Sequence, residues 1–289
     1  MNGRIPIQEQ DRDPAAFLQI RNLRASFRSH LGDLDALDGA TFDVERGEFV
    51  CLLGPSGCGK STLLRIVAGL LKPTGGEVLL EGGPQREPGQ RVGLVFQQPT
   101  LLPWRSVRDN VALPLEMEGL SAADIERRTT ELLALVGLSS FEHEYPMNLS
   151  GGMAQRTAIA RALAQDLEVL LLDEPLGALD ALTRERMAAE LLRIWQRDKR
   201  TVLMVTHSVE EAALLADRVV VLSSRPGRVV GIVPVDLPRP RSPGLLVTPA
   251  LQHIALQLRA VLGSGEADAP QCVAAPGLQN AVATEPRAA

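Results

Sequence analysis

Short apolar runs alternate with longer amphipathic stretches along most of the chain. Apolar and polar positions alternate in the segments 17–20 and 41–44, which predicts strands of the antiparallel type. Apolar residues then recur at helical spacing from 63 to 71, and the residues 72–76 predict the end of that helix. The beginning of the chain is therefore expected to combine an antiparallel sheet with one amphipathic helix.

Further apolar runs predict buried strands, and the run 169–172 lacks polar alternation, which is typical of a strand covered on both faces. The other predicted strands are 47–53, 92–96, 202–205 and 219–222. Helical patterns fill the intervals at about 106–165, 183–197 and 208–215. Strands that alternate with helices predict an α/β fold with a parallel sheet.

Composition excludes several classes of protein. Apolar residues make up 45% of the 289 positions and charged residues 22%, unlike a disordered chain, a coiled coil or a collagen-like fibre. The net charge of −5 argues against nucleic acid as a partner, since nonspecific binding needs a basic surface. No apolar run approaches the ~18 residues of a membrane span, so work at a membrane would need a partner that supplies the spans. Cys51, Cys58 and Cys272 offer no disulfide framework, as expected for a reducing cytosol.

A glycine-rich segment follows the apolar run that ends at Leu53. It reads Gly54, Pro55, Ser56, Gly57, Cys58, Gly59, Lys60 and Ser61, then Thr62, and fits the pattern G-x-x-x-x-G-K-[ST]. Glycines let backbone N–H groups converge on phosphate oxygens, and the positive end of the next helix adds to the attraction. In this pattern Lys60 reaches the β- and γ-phosphates of a nucleotide, and Ser61 offers its hydroxyl to Mg²⁺. The first helical turn carries no acidic residue, which leaves its N–H groups free for an anion.

Two carboxylates come directly after the apolar run 169–172. Asp173 at the strand tip can hold Mg²⁺ through water, and Glu174 can orient or deprotonate an attacking water. Ligands of open parallel sheets lie at the carboxyl ends of strands, so this pair and the glycine-rich loop are expected to meet. Asp173 lies 113 residues after Lys60, and the helical stretch 106–165 within that interval predicts an inserted subdomain.

A second helix begins with features suited to an anion. Ser150 is a good N-cap, and Gly151 and Gly152 permit close approach of a ligand to the backbone. The first turn lacks acids and carries Arg156. Two such helix ends in one chain suggest a nucleotide held between two surfaces.

The motifs, in this order, resemble the ATP-binding subunit of an ABC transporter over about residues 17–232. Residues 54–62 are similar to Walker A, 149–153 to the signature, 170–174 to Walker B and 178–180 to the D-loop. The resemblance implies a P-loop NTPase (RecA-like) core with an antiparallel β subdomain and an inserted helical subdomain. It would be followed by a strand and helix extension at 233–263, and the composition of 264–289 predicts a disordered tail.

The same resemblance implies individual roles. Gln97 would be the Q-loop glutamine, a contact of Mg²⁺ or water, and His207 the switch histidine that contacts the γ-phosphate. Ser150, Gly151, Gly152 and Asp180 would contribute to nucleotide binding. Phe27 falls where the family places an aromatic ring that stacks on adenine, and a core phenylalanine is the alternative.

The implied partners follow from the family. ATP and Mg²⁺ would bind between two copies in a head-to-tail homodimer, and hydrolysis would drive transmembrane permease subunits at the cytoplasmic face of the inner membrane. A solute-binding protein would take part indirectly. A soluble ABC ATPase without a transport role and a non-catalytic nucleotide-binding regulator remain the alternatives.

A narrower resemblance points to the subgroup that imports nitrate, taurine or aliphatic sulfonates. It is carried by the segments 101–104, 177–184 and 225–228 and by Met153 at the end of the signature. The segment 101–104, directly after Gln97, is expected either to contact the permease or to pack inside the helical insertion.

Overall fold

The computed structural model describes residues 16–29, 32–89, 91–177 and 179–267, which form two sheets and the helices packed on them. The strands are β1 (Leu18–Ser29), β2 (Gly32–Val44), β3 (Phe49–Leu53), β4 (Gly75–Leu80), β5 (Gly83–Pro84), β6 (Val92–Val95), β7 (Val169–Asp173), β8 (Thr201–Thr206), β9 (Arg218–Leu222) and β10 (Val229–Pro234). The helices are α1 (Lys60–Val67), α2 (Val107–Met117), α3 (Ala122–Leu135), α4 (Gly151–Leu163), α5 (Ala181–Asp198), α6 (Val209–Leu215) and α7 (Pro249–Ala267). Short 3₁₀ turns lie at Ser139–Phe141, Pro146–Asn148 and Pro243–Val247.

The larger sheet has the strand order β10-β9-β3-β8-β7-β6. From β9 to β6 all neighbours are parallel, and only β10 runs antiparallel to its neighbour β9. Every residue of β3, β7 and β8 is buried, which confirms the predicted parallel sheet covered on both faces. The carboxyl ends of β3, β6, β7 and β8 consequently lie along one edge of this sheet.

The smaller sheet is antiparallel, with the order β2-β1-β4-β5. Strand β1 pairs with β2 on one side and β4 on the other, which confirms the antiparallel pairing expected near the start of the chain. A hydrophobic core joins this sheet to α1 and one face of the parallel sheet, with Leu18, Leu63 and Val205 among its fully buried members.

The other face of the parallel sheet is covered by the remaining helices, whose apolar sides form a second core. Helices α2, α3 and α4 pack on one another, so the chain between β6 and β7 forms the expected helical insertion. Ser106 and Ser150 begin α2 and α4 as N-caps, since their hydroxyls accept from the N–H groups of Asp109 and Met153.

Helix α1 differs from its prediction at its C-terminal end. The helical spacing extends to Leu71, but α1 ends at Val67, Gly69 follows with φ +73°, and Leu70 is 51% exposed. The residues 75–80, of which the first two were read as a helix stop, form β4 against β1. A glycine can end a helix or begin a strand, and the pairing with β1 decides between them.

The C-terminal segment packs against the core. Strand β10 spans the expected boundary between 232 and 233, and α7 buries Leu251, Ala255 and Leu258 against the rest of the chain. Helix α7 continues to Ala267, so the disorder expected from residue 264 is wrong for its first residues, and 268–289 lie outside the described residues. The buried Arg241 holds this segment, because its guanidinium donates to the carbonyls of Ala216 (2.6 Å) and Val235 (2.9 Å).

Candidate active site

The glycine-rich loop connects the buried strand β3 to α1 and leaves the first N–H groups of the helix without acidic neighbours in its first turn. Gly59 has φ +101°, and a Cβ built on it would lie 2.5 Å from the carbonyl oxygen of Ala36. Only glycine fits this position, because a side chain would clash with backbone and strain φ. A glycine-rich loop before a helix N terminus without acids is a cradle of N–H groups of the kind that binds anions.

Lys60 is 4% exposed and folds back over this cradle. Its ammonium donates to the carbonyl oxygens of Gly54 and Pro55, both at 2.8 Å. A lysine has three N–H donors on a flexible stem, so an ammonium placed here can bind phosphate oxygens at the same loop.

The other residues of the loop differ in how far they are exposed to solvent. Ser56 and Gly57 are exposed, and Gly57 has φ +76°. Pro55 and Thr62 are half-buried, whereas Cys58 is 1% exposed and burial raises the pKa of its thiol. Cys51 and Cys58 are both free and buried, and Cys272 lies outside the described residues.

Ser61 and Asp173 meet, as the sequence predicts. Ser61 Oγ donates to Asp173 Oδ1 at 2.9 Å, and Asp173 is 4% exposed at the tip of β7. Burial raises the pKa of Asp173, while the hydrogen bond from Ser61 lowers it. A hydroxyl and a carboxylate oxygen in contact are ligands suited to Mg²⁺, so this donor set fits that ion.

Glu174 joins residues from the ends of three adjacent strands. Its Oε2 lies 3.1 Å from Nδ1 of His207, after β8, and accepts from Nε2 of Gln97, after β6, at 3.4 Å. Glu174 has φ +45°, and its N–H donates to the carbonyl of Val205. The sheet order β6-β7-β8 explains this convergence, since residues distant in sequence follow neighbouring strands.

The signature and the D-loop contact each other. A Cβ on Gly152 would lie 3.0 Å from Leu179 Cδ2, and Asp180 is the N-cap of α5, accepting from the N–H of Thr183 at 3.0 Å. Ser150 and Gly151 are exposed at the start of α4. Among the described residues, no hydrogen bond or ion pair connects this pair of segments to the loop 54–59 of the same chain.

Arg156 differs from its expected position at an anion site. Its guanidinium donates to the carbonyls of Val136 (3.0 Å) and Gly137 (3.4 Å) at the end of α3. It therefore holds the C-terminal end of α3 to α4 within the helical insertion, and what α4 offers an anion is the set of N–H groups in its first turn.

Phe27 is 38% exposed on β1, opposite Leu34 of β2, so the alternative of a core phenylalanine is wrong. The same hairpin reaches the glycine-rich loop, because Ala36 of β2 lies against Gly59. An exposed ring on this hairpin is available to stack on a planar ligand.

The segment 101–104 is divided between the two expectations. Leu101 is half-buried and packs on the core, whereas Trp104 is 72% exposed. Asn110, which is fully buried, fixes the segment: its Oδ1 accepts from the N–H of Leu102, and its amide donates to the Leu102 and Arg105 carbonyls. The pattern of α2 gave no sign of this role for Asn110.

A connection between the His207 loop and the D-loop was also missed. Thr206 Oγ1 donates to Glu211 Oε2 at 2.7 Å, and Glu211 Oε1 lies 3.6 Å from Arg184 Nε. Arg184 in turn donates to the carbonyl of Leu179 at 2.9 Å. Glu210 and Glu211 are equivalent in the sequence, and only the packing of α6 turns one of them inward.

None of the helices in the described ranges has the length and apolar character needed to span a membrane. A family model described as "ABC transporter" matches residues 37–177. Taurine import ATP-binding protein TauB of Roseobacter denitrificans is 49% identical over 213 residues, covering 73% of this chain and 80% of that protein. Nitrate import ATP-binding protein NrtD of Synechococcus elongatus is 47% identical over 230 residues, covering 78% and 84%.

A solved structure of the ATP-binding cassette MJ0796, a dimer in a post-hydrolysis state bound to ADP and Pi, is similar with a TM-score of 0.70 and 32% identity. The match covers 76% of this chain and 99% of that one. With its phosphate cradle, acid pair and extent of identity to these relatives, this chain belongs to the ABC transporter ATP-binding proteins.

Proposed function

We propose that this chain is the ATP-hydrolysing subunit of a membrane importer for a small anion. The observation that carries the proposal is the position of Glu174, which contacts both His207 and Gln97 beside the Ser61–Asp173 pair. A carboxylate oriented by a histidine next to a phosphate cradle suits hydrolysis of a nucleotide, whereas binding alone would not need it.

ATP is the substrate of this arrangement. The N–H groups of the loop 54–59 and the first turn of α1 bind the phosphates, with Thr62 in that turn, and Lys60 donates to the β- and γ-phosphate oxygens. Phe27 stacks on the adenine ring. Glu174 accepts a proton from the attacking water as the new oxygen–phosphorus bond forms, and the bond to the β-phosphate oxygen breaks to release ADP and phosphate.

Ser61 and Asp173 would hold Mg²⁺, with Gln97 reaching it directly or through water. When bound there, the ion would neutralise charge that develops on the phosphates. His207 orients the Glu174 carboxylate and donates to the γ-phosphate.

The signature and Asp180 serve the site of a second copy. The N terminus of α4 is formed by Ser150, Gly151 and Gly152. Within the described residues, none of the three makes a hydrogen bond to the loop 54–59 of its own chain. A head-to-tail homodimer would place them on the nucleotide of the partner, and the similar MJ0796 cassette is itself a dimer.

Permease subunits dock on the helical insertion, which places this chain peripherally at the cytoplasmic face of the inner membrane. The exposed apolar side chains of the insertion support this proposal, with exposed fractions of 72% for Trp104, 81% for Met117, 47% for Tyr145 and 87% for Met147. Large apolar side chains exposed to water on one subdomain are expected where a partner covers them.

The solute class rests on the relatives, two of which are named for taurine import and nitrate import. Nitrate, taurine or an aliphatic sulfonate is therefore the proposed cargo, delivered to the permease by a solute-binding protein.

The test is phosphate release and solute uptake by this chain in liposomes that contain its permease, with the solute-binding protein added. We expect ATP hydrolysis that rises with the permease, with Glu174→Gln and Lys60→Ala each losing it. Glu210→Gln, the same change on an exposed residue, is the matched control. ATP binding without phosphate release would identify a regulator, and hydrolysis indifferent to the permease, with nucleic acid bound to the purified chain, would identify an ATPase outside transport.

A further inference from the structure

The turn between β9 and β10 has no role in the function proposed above. It contains the sequence Arg225-Pro226-Gly227-Arg228, and it lies against the outer side of the phosphate loop. Arg225 and Gly227 of this turn contact the loop and strand β2.

Arg225 contacts the loop directly. Its Nε donates to the carbonyl oxygen of Gly57 at 3.0 Å, and its Nη2 lies 3.5 Å from the position that a Cβ on Gly57 would take. Gly57 has φ +76°, a conformation that most residues avoid and that a flexible loop would leave readily. Holding its carbonyl fixes the plane of the peptide between Gly57 and Cys58, whose N–H donates within the loop to the carbonyl of Pro55 at 3.4 Å.

The turn is itself held tightly. Gly227 is buried, and a Cβ on it would lie 2.2 Å from the carbonyl oxygen of Cys58. The N–H of Gly227 donates to the carbonyl of Ala36 at 2.9 Å, and its carbonyl accepts from the N–H of Asp38 at 3.1 Å. Arg228 Nε adds a hydrogen bond to Asp38 Oδ2 at 3.0 Å. The turn thus rests on β2, and Arg225 extends from a rigid base.

We infer that Arg225 is a positioning residue of the nucleotide site, which orders the phosphate loop through its Nε–H and the Gly57 carbonyl. The inference rests on the proposed ATP site. A loop ordered before binding loses less conformational freedom when phosphate arrives, so the affinity for nucleotide rises. The side chain acts by donating this hydrogen bond from outside the loop, and its charge is dispensable.

Three substitutions separate the hydrogen bond from the charge. Arg225→Gln keeps an N–H donor the same number of bonds from the backbone and removes the charge. Arg225→Lys keeps a charge but places a methylene at that point, and Arg225→Met removes both donor and charge. Arg193→Met, at an exposed arginine paired only with Glu190 among the described contacts, controls for the loss of a surface cation.

ADP binding to the full-length chain is measured by calorimetry, and unfolding temperature is measured without nucleotide. The Lys and Met variants should bind ADP about threefold to tenfold more weakly, as for loss of one hydrogen bond, with Gln close to the parent. Unfolding temperatures should stay unchanged, because Arg225 is exposed.

Two results would overturn the inference. One is an affinity for ADP that is the same in all three variants, and the other is normal affinity in Arg225→Lys with weak affinity in Arg225→Gln. A parent chain that fails to bind ADP would instead refute the proposed function. In the hydrolysis assay the Lys and Met variants should raise KM for ATP and leave kcat near the parent value, whereas a fold defect would lower the active fraction and kcat.

Discussion

Ser61 Oγ donates to Asp173 Oδ1 at 2.9 Å, and this contact joins the first turn of α1 to the tip of β7. Residue Asp173 is buried enough that its pKa is raised, so an ionised carboxylate is costly there without a cation. The pair is therefore arranged to gain from a bound metal ion.

Asp173→Asn should lower Mg²⁺-dependent ATP hydrolysis on the order of 100-fold, because the amide removes the negative charge that would hold the ion in the proposed metal site. Binding of ADP without Mg²⁺ should persist, since the cradle of N–H groups is intact. Hydrolysis is titrated with Mg²⁺, and calorimetry follows ADP. Asp236→Asn, an exposed aspartate after β10, is the control. Unchanged hydrolysis would show that Asp173 does not bind the metal ion.

His207→Ala should lower kcat roughly 100-fold while KM for ATP changes little, because in the proposed mechanism the histidine orients Glu174 and contacts only the terminal phosphate. Steady-state phosphate release with the permease present gives both constants. His143→Ala is the matched control, since the His143 side chain is 85% exposed in the helical insertion. A raised KM with normal kcat would mean that His207 serves binding alone.

Stability should depend on pH through Glu211. Burial raises the pKa of Glu211, and the nearby charge of Glu174 raises it further. The hydrogen bond from Thr206 and the charges of Arg184 and His207 act in the opposite direction without cancelling this rise. The folded protein thus holds this proton more tightly than the unfolded chain, so stability falls as the pH rises from the ordinary value of 4.5 through the raised one.

Glu211→Gln should therefore raise the unfolding temperature by a few degrees at neutral pH, and the gain should vanish near pH ~4, where the glutamate is protonated. Thermal unfolding across this pH range checks it, with the adjacent Glu210→Gln as control, because Glu210 is exposed and paired with Arg259. A gain that is the same at both ends of the range would mean that ionisation of Glu211 is irrelevant.

Trp104→Ala should leave the unfolding temperature and basal nucleotide binding unchanged, because the ring is 72% exposed. Association with the permease and the permease-stimulated rate should fall at least severalfold, as for loss of an aromatic anchor at an interface. Co-purification and phosphate release report these effects. Val247→Ala, at an 86% exposed residue of the C-terminal segment, is the control, and equal effects would place the docking surface elsewhere.

The motifs were predictable because they are local. The loop 54–61 is a continuous sequence in which Gly57 and Gly59 have positive φ, and Asp173 and Glu174 come at the end of an apolar run. Periodicity alone was enough for the parallel strands, since burial on both faces leaves a continuous apolar run. It did not predict β4 at 75–80, a strand that pairs with β1.

The sequence by itself determined the phosphate cradle, the acid pair and the alternation of strands and helices, because each depends on neighbouring residues. Only the tertiary structure decided which distant groups meet: Gln97 and His207 at Glu174, Glu211 rather than Glu210 at Arg184, and Arg225 at Gly57. Such contacts arise from the order of strands in the sheet and the packing of helices on it. These are properties of the whole folded chain, and no local pattern encodes them.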